Sequence, residues 1–145
     1  DSRFMRHHLA IVRAKYLDLL LSGRKTIECR LSKIRRPPFE AVDGGDLLWL
    51  KLPSGPIRAV ARARTCEFHR LESGDALQAL MTRHSAGICA APEFLDGADE
   101  WARYCSLIWI DAVVGLGSLP VVKNDQRAWV VLNRAPRPGQ PIAWD

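Results

Sequence analysis

Several features that often identify a small domain are missing from this sequence of 145 residues. Its four cysteines are Cys29, Cys66, Cys89 and Cys105, and no two of them form a Cys-x-x-Cys pair, which disfavours a zinc ribbon or a redox motif. No apolar run approaches the roughly 20 residues that cross a bilayer, and no apolar segment with a cleavage site follows the first charges. We therefore expect a cytoplasmic protein with buried free thiols and no membrane partner.

The common catalytic and phosphate-binding signatures are missing as well. The chain contains no glycine-rich phosphate loop, no His-Glu-x-x-His and no Gly-x-Ser-x-Gly. The sequence thus favours none of the widespread nucleotidases, zinc proteases or serine hydrolases. No cofactor is predicted from the residues.

Positive charge is present, and it is concentrated in one part of the chain. The formal net charge is +5, and residues 1–40 hold ten Lys and Arg against four Asp and Glu, a net of +6. The remaining 105 residues hold eleven against twelve, a net of −1. Because a localised positive field attracts polyanions, the first quarter of the chain is where we expect a phosphate-bearing ligand to bind.

Hydrophobic patterning predicts one domain with five or six strands and two or three helices. Predicted strands cover residues 8–12, 26–31, 46–52, 57–68, 104–114 and 128–132, and predicted helices cover 14–22, 73–84 and a turn from Pro92. Strands and helices do not alternate regularly, which favours an α+β, mainly β fold with a mixed or antiparallel barrel. The domain is expected to span residues 8–132, with the proline-rich tail 133–145 a surface strap or loosely ordered.

The most informative segment begins where Gly23 ends the first helix. In the strand that follows, apolar residues alternate with Thr26, Glu28 and Arg30, which places these three side chains on one face about 7 Å apart. Lys25, at the turn, can reach over that row. Such a set predicts a site where Glu28 accepts from the exocyclic amine of a base while Lys25 and Arg30 hold phosphate. Spacing alone favours an exposed strand face with an ordinary Glu28–Arg30 ion pair over such a site.

Other basic residues are candidates for the same ligand. Arg35 and Arg36 lie in a proline-rich loop, while Lys123, Asp125 and Arg127 precede the final strand. Three further arginines share one face of a predicted strand: Arg58, Arg62 and Arg64. This face is interpreted as a track for a phosphate backbone, as a docking face for an acidic protein or as a solvated outer surface.

Aromatic residues and histidines are assigned mainly to structure. Three tryptophans inside apolar strands are predicted core residues, with a stacking face for a base as the alternative role of one of them: Trp49, Trp109 and Trp129. Trp101 is expected to pack a helix. The pair His7 and His8 is interpreted as surface residues, and the two isolated histidines His69 and His84 as structural residues with satisfied hydrogen bonds.

The segment from Ser22 to Arg30 resembles the signature of ASCH domains, a branch of the PUA-like superfamily. That signature runs Gly-x-Lys-x-x-Glu-x-Arg, matched here by Gly23, Lys25, Glu28 and Arg30. The helix before it, the Gly45-Asp46 turn before Leu47-Leu48-Trp49 and the closing run 129–132 resemble the family too. The resemblance implies a PUA-like pseudo-barrel of five or six strands, with the signature residues lining a cleft that binds single-stranded RNA or a nucleotide-like ligand.

The same resemblance offers two enzymatic alternatives. One ASCH branch is similar to amidohydrolases that deacylate N4-acetylcytidine with a Lys, a Thr nucleophile and a Glu. Lys25 matches the lysine, but the Thr position falls on Glu28, and a carboxylate cannot replace an alkoxide. Another branch is linked to metal-dependent ribonucleases, for which only Glu28 and Asp125 are candidate ligands of a divalent metal. As an enzyme, the protein would be a hydrolase using Lys25 and Glu28.

Overall fold

Six strands form one mixed sheet in the order β2-β5-β4-β3-β1-β6. The computed structural model describes residues 4–124 and 126–143. The strands are β1 (His7–Ile11), β2 (Ile27–Ser32), β3 (Leu47–Lys51), β4 (Ile57–Arg70), β5 (Tyr104–Leu119) and β6 (Trp129–Leu132). Strands β1 and β3 pair in parallel, and the other neighbouring pairs are antiparallel. The predicted α+β, mainly β architecture is confirmed.

Three α-helices and one 3₁₀ turn flank the sheet. They are α1 (Ala14–Leu21), α2 (Gly74–Ile88), the 3₁₀ turn Pro92–Leu95 and α3 (Ala98–Trp101). Ser73 caps α2 by accepting a hydrogen bond from the Ala76 N–H at 3.2 Å. Helix α2 continues past the predicted end at His84, where the backbone is locally non-helical, because Ile88 is buried one turn later. Among the described residues, no helix is long and apolar enough to cross a membrane.

The main core lies between α1 and the inner face of the sheet. Strand β4 contributes Ala59, Ala61 and Ala63, all buried, and their small side chains leave room for Leu17 and Leu20 of α1. Burial of one such leucine side chain stabilises the fold by about 2 kcal/mol. Helix α1 is therefore fixed against the inner face of the sheet, and the signature segment begins at the turn that ends this helix.

Two smaller cores complete the packing. Helices α2 and α3 cover β2 and β5 through a second apolar cluster that includes Ile27, Leu77 and Leu107. On the opposite side of the sheet, Ile142 of the tail packs into a third cluster with strand residues such as Leu9. The described part of the tail is therefore an ordered strap, held also by the Asn133 N–H bonded to the Ala143 carbonyl at 2.9 Å.

Strand β5 is longer than predicted. The predicted end at Val114 is wrong, because the strand runs on to Leu119 and pairs with β4 as far as Ile57. Glycine and proline near this segment favour a loop, but a long partner strand outweighs that local preference. The pairing accommodates the change through shifts in register, with Ala112 at a positive φ of 52°.

The two edges of the sheet, β2 and β6, approach each other. Arg30 of β2 donates to the Ala128 carbonyl directly before β6 at 3.4 Å and to the Ile11 carbonyl of β1 at 2.8 Å. Its guanidinium also lies 5.2 Å from the centre of the Trp129 ring in β6. The sheet is therefore curved into a half-barrel whose open side is bridged by one arginine side chain.

Candidate functional site

A pocket of about 380 Å³ opens beside β2, where the half-barrel meets its helices. This volume lies within the roughly 300–1,000 Å³ of typical small-molecule sites. Its wall is built by the ends of β1 and α2, by α1, by β2 and by the segment from the 3₁₀ turn to α3. The polar and aromatic residues of the wall are Arg13, Lys15, Tyr16, Lys25, Glu28, Arg30, Glu93, Phe94 and Trp101.

Lys25 is buried at the base of this pocket, with 4% of its surface exposed. Its backbone N–H bonds to the Leu19 carbonyl, so the C-terminal turn of α1 places the side chain. The ammonium donates to the Ile88 carbonyl at the end of α2 and lies 3.5 Å from Glu28 Oε1. It also lies 5.3 Å from the centre of the Tyr16 ring. Lys25 is thus fixed by four partners, rather than free to swing over the strand.

Glu28 lies between two cations. Its Oε2 accepts from Arg30 at 2.8 Å, while Oε1 faces the Lys25 ammonium. Burial raises the pKa of Glu28, but Arg30 and Lys25 together lower it by more, so the pKa lies below its usual value. Glu28 is therefore an ionised acceptor at neutral pH, and an ionised carboxylate has no proton to donate.

Arg30 is occupied by structural bonds. Its Nε and one terminal nitrogen both donate to Glu28 Oε2, at 3.3 and 2.8 Å. Its guanidinium also donates to the Ile11 and Ala128 carbonyls, and these bonds bridge the half-barrel. Arg30 therefore fixes Glu28 and closes the sheet, which leaves phosphate contacts to other cations.

Thr26 does not share the surroundings of Glu28 and Arg30. Strand β2 begins at Ile27, one residue later than predicted, and Thr26 is exposed before it. The Thr26 N–H bonds to the Gly87 carbonyl of α2 at 2.9 Å, and Thr26 is not among the residues that line the pocket. The predicted single row of three side chains is therefore reduced to Glu28 and Arg30, with Lys25 added from the turn.

Two further cations surround the pocket mouth. Arg13 is exposed at the start of α1, and Lys15 is exposed two residues later. Lys15 forms a 2.7 Å ion pair with Glu93 of the 3₁₀ turn, and this bond lowers the pKa of Glu93. The pair connects the two sides of the mouth, and Arg13 is the exposed cation beside it.

Three aromatic residues line the pocket: Tyr16, Phe94 and Trp101. The Tyr16 hydroxyl accepts a hydrogen bond from the Ala91 N–H at 3.1 Å, which fixes the ring. Trp101 is 39% exposed at the end of α3, in contrast to the expected role in helix packing. Sequence reasoning missed this set because Tyr16 matches an apolar helix stripe and residues 85–103 carry no clear periodicity.

The remaining candidate residues lie elsewhere. Arg35 is exposed and pairs with Glu40 at 2.7 Å, and Arg36 is exposed in the same loop. Lys123 lines a second pocket rather than this one, and Arg127 is exposed before β6. Asp125 lies outside the described residues. The structure therefore brings together Lys25, Glu28 and Arg30, and the described candidates Arg35, Arg36, Lys123 and Arg127 are not among the residues that line this pocket.

The arginine face of β4 has the predicted alternation. Arg58, Arg62 and Arg64 are exposed on the outer side of the strand, opposite the buried alanines. Arg62 forms a 3.0 Å ion pair with Asp111 of β5, so part of this charge is balanced within the sheet. The face is separate from the pocket wall.

His8 is a buried residue, and its interpretation as a surface residue is wrong. Its ring is enclosed because β1 is an inner strand between β3 and β6. The Trp129 indole N–H donates to His8 Nδ1 at 3.0 Å, so Nδ1 is an acceptor and Nε2 carries the proton. That proton points at Asp46 Oδ2, 2.8 Å away. The Trp129 ring, which contacts the Arg30 guanidinium, is therefore held in place by a buried histidine.

His84 also departs from its expected role. Its Nε2 is buried and has no hydrogen-bond partner in the described part of the chain, while its ring packs edge-on against Trp109 at 5.3 Å. Within residues 4–124 and 126–143, no group of three or more His, Cys, Asp or Glu is placed to hold a metal ion.

Comparison with known proteins gives a result at the level of the fold. No protein-family model and no curated protein sequence matches the chain. The crystal structure of ASCH from Zymomonas mobilis is similar over 75% of this chain and 69% of that one, with a TM-score of 0.58 and 14% identity. A structure of a mutant of the same protein gives a TM-score of 0.57 at 13% identity, covering 77% and 75% of the two chains. The expected resemblance is confirmed at the level of the fold: the chain has the fold of these ASCH structures, an α+β half-barrel.

Proposed function

We propose that this pocket binds single-stranded RNA or a nucleotide-like ligand, with one base inside the pocket and the phosphate at its mouth. The observation that carries the proposal is Glu28, an ionised carboxylate held at a fixed position on the pocket wall by Lys25 and Arg30. An ionised carboxylate is costly to bury, and here it is compensated by two cations and remains in contact with the cavity. Such a group supports recognition of a hydrogen-bond donor on the ligand.

The chemistry of Glu28 favours a particular kind of base. Both of its oxygens are acceptors, so it binds an exocyclic amine, as in cytosine or adenine, and repels the carbonyl oxygen at the same position in uracil. The aromatic walls support the same ligand class, because base stacking on aromatic rings contributes about 1–3 kcal/mol per base. We therefore expect discrimination between cytosine and uracil at this pocket.

The phosphate is assigned to the mouth of the pocket. Arg30 is already bonded to Glu28 and to two carbonyls, so its guanidinium is poorly available. Arg13 and Lys15 are exposed at the mouth and are better placed for an anion. Arg35 and Arg36, proposed from the sequence, would act only if their loop moved toward the mouth.

Binding is proposed in preference to hydrolysis. Among the described lining residues the one hydroxyl is that of Tyr16, which is bonded to the Ala91 N–H. The one thiol is Cys29, whose pKa is raised well above its usual value by a hydrogen bond with Cys105 and by burial. A neutral thiol is a poor nucleophile. These features supply no activated nucleophile beside Lys25, whereas they suit a site that holds a ligand unchanged.

Nucleotide binding tests the proposal directly. We expect cytidine monophosphate to bind at least about tenfold more tightly than uridine monophosphate, which corresponds to about 1.4 kcal/mol. Isothermal titration at two salt concentrations measures both affinities, and short single-stranded RNA gives the same order in fluorescence anisotropy. Glu28→Gln is expected to remove the discrimination, because an amide offers both a donor and an acceptor.

The test variant is Lys25→Ala, and its matched control is Lys33→Ala. Lys33 is an exposed lysine directly after β2, so it changes the net charge equally without touching the pocket. Unaltered binding in Lys25→Ala, or equal loss in both variants, contradicts the proposal. Release of acetate from N4-acetylcytidine, or cleavage of labelled RNA with Mg²⁺ or Mn²⁺, would instead support the hydrolase alternative.

A further inference from the structure

A second pocket of about 410 Å³ lies at the turn end of β3 and β4, away from Lys25 and Glu28. One wall is the tight turn between the two strands, and the other is the end of β5 with the segment that follows it. Its described lining is Lys51, Ser54, Gly55, Pro56, Ser118, Pro120, Val121 and Lys123. Lys123 is a candidate from the sequence, and the base-binding site proposed above includes none of these residues.

We propose that this second pocket binds a phosphate group through Lys51 and Lys123. Lys51 is a charged side chain with only 7% of its surface exposed, yet it lines an open cavity. Burial of an ammonium group is costly unless an acceptor or an anion compensates it. Within the described part of the chain its ammonium donates one hydrogen bond, to the adjacent Leu52 carbonyl at 3.1 Å, and an ammonium group has three protons to donate.

The second lysine strengthens this inference. Lys123 lines the same pocket, and burial together with the positive charge of Lys123 lowers the pKa of Lys51. Two like charges that destabilise one another become favourable when an anion lies between them. Ser54 and Ser118 add hydroxyl groups from opposite walls, and Lys–phosphate pairs with hydroxyl donors are a common way to hold phosphate.

Backbone structure fixes the position of both walls. The turn is closed by the Leu52 N–H bonded to the Pro56 carbonyl and the Gly55 N–H bonded to the Leu52 carbonyl, each at 3.1 Å. On the other wall the Gly139 N–H bonds to the Pro120 carbonyl, which attaches the segment after β5 to the tail. A shift in register between Leu50 and Lys51 sets the direction of the lysine. The site is therefore preformed by strands and turns.

The shared chemistry is a phosphate group, which comes either from free phosphate esters or from the backbone of a bound RNA strand. We expect inorganic phosphate, added at constant ionic strength, to give saturable shifts of the Gly55 and Ser118 amide signals in NMR spectra of the full chain. Lys123→Gln is expected to weaken this binding about tenfold, and Lys33→Gln, with the same charge change, to leave it intact. Lys51→Gln is a second variant, accepted only if its melting temperature shows a folded protein.

The outcomes separate clearly. Equal phosphate shifts in Lys123→Gln and in the unchanged protein, or equal shifts with chloride, overturn the site. If the source is an RNA backbone, Lys123→Gln also lowers the salt slope of RNA binding by about one, whereas a site for free phosphate leaves that slope unchanged. Lys25→Ala should abolish base recognition at the first pocket without moving the phosphate shifts, so failure of one proposal does not imply failure of the other.

Discussion

His8 and Asp46 share a 2.8 Å hydrogen bond at a place where both side chains are fully buried. His8 lies in β1, and Asp46 directly precedes β3, the parallel neighbour of β1. Asp46 also accepts the backbone N–H groups of Arg6 and Asp43, each at 3.0 Å. One carboxylate therefore holds a buried ring and two loop backbones together.

Asp46→Ala should destabilise the fold strongly. Removal of the carboxylate leaves buried donors from the histidine and from two backbone groups without this acceptor, and we expect a loss of about 3 kcal/mol in the free energy of unfolding. Urea denaturation followed by tryptophan fluorescence measures the loss. Asp111→Ala is the matched control, since its ion pair with Arg62 is on the surface and should change stability by less than about 1 kcal/mol. Equal losses in the two variants would show that the buried network contributes no more to the free energy of unfolding than an exposed ion pair does.

Glu28 should make stability depend on acid pH. Its pKa in the folded protein lies below the usual value, because the two neighbouring cations outweigh burial. The carboxylate therefore stabilises the fold above the unfolded-state pKa of about 4.3, and this contribution is lost as the pH falls through the lower folded pKa.

The measurement compares the unchanged protein with Glu28→Gln from about pH 7 to about pH 2. We expect a difference of about 3 kcal/mol that is constant at neutral pH and shrinks below about pH 4. Glu40→Gln, which alters an exposed ion pair with Arg35, should show almost no difference at any pH. A difference in unfolding free energy between the unchanged protein and Glu28→Gln that stays constant down to the lowest pH contradicts this expectation.

Cys66 should resist alkylation. Burial, followed by the negative charges of Asp43 and Asp46, raises the pKa of this thiol to about 12. Since the thiolate is the reactive form, its population at neutral pH is about a thousandfold lower than for a thiol of ordinary pKa.

Iodoacetamide labelling with peptide mapping tests this at a series of pH values. The Cys66 rate should still be rising at about pH 10, and Asp43→Asn should increase it. A rate that levels off near pH 9 would place the pKa at its ordinary value. Labelling of Cys66 also has to be faster in urea than in the folded protein if burial is the main cause.

Trp101 should report on ligand binding at the first pocket, a prediction that depends on the proposed function. Its indole is partly exposed and lines the pocket, so a stacked base is expected to quench its fluorescence. Titration with cytidine monophosphate should lose most of its signal in Trp101→Phe. The control is Trp109→Phe, because Trp109 packs against the second core and is not among the described lining residues. Quenching that survives in Trp101→Phe would place the base elsewhere.

The predicted fold succeeded where periodicity is strong. Alternation in residues 57–68 placed Arg58, Arg62 and Arg64 on one face of β4, where all three are exposed, and Gly23 ends α1 with a φ of 81° as expected. The prediction failed for β5 because Gly115 and Gly117 favour a loop locally, while pairing with β4 is a long-range effect. Such pairing cannot be read from one segment.

The candidate site was predicted only in part for a similar reason. Lys25, Glu28 and Arg30 are close in sequence, so one motif places all three. The aromatic wall is assembled from α1, the 3₁₀ turn and α3, and only the fold brings these elements together. The His8–Asp46 bond likewise depends on the parallel register of β1 and β3, which joins residues 38 positions apart.

Closure of the half-barrel by Arg30 makes the surroundings of Glu28 depend on strand β6. The guanidinium receives its aromatic platform from Trp129 and one acceptor from Ala128, both at the β6 end of the sheet. Until β6 docks beside β1, the arginine next to Glu28 lacks these supports. Docking of β6 therefore completes the support of Arg30, and through Arg30 it helps to hold the Glu28 carboxylate in the pocket wall.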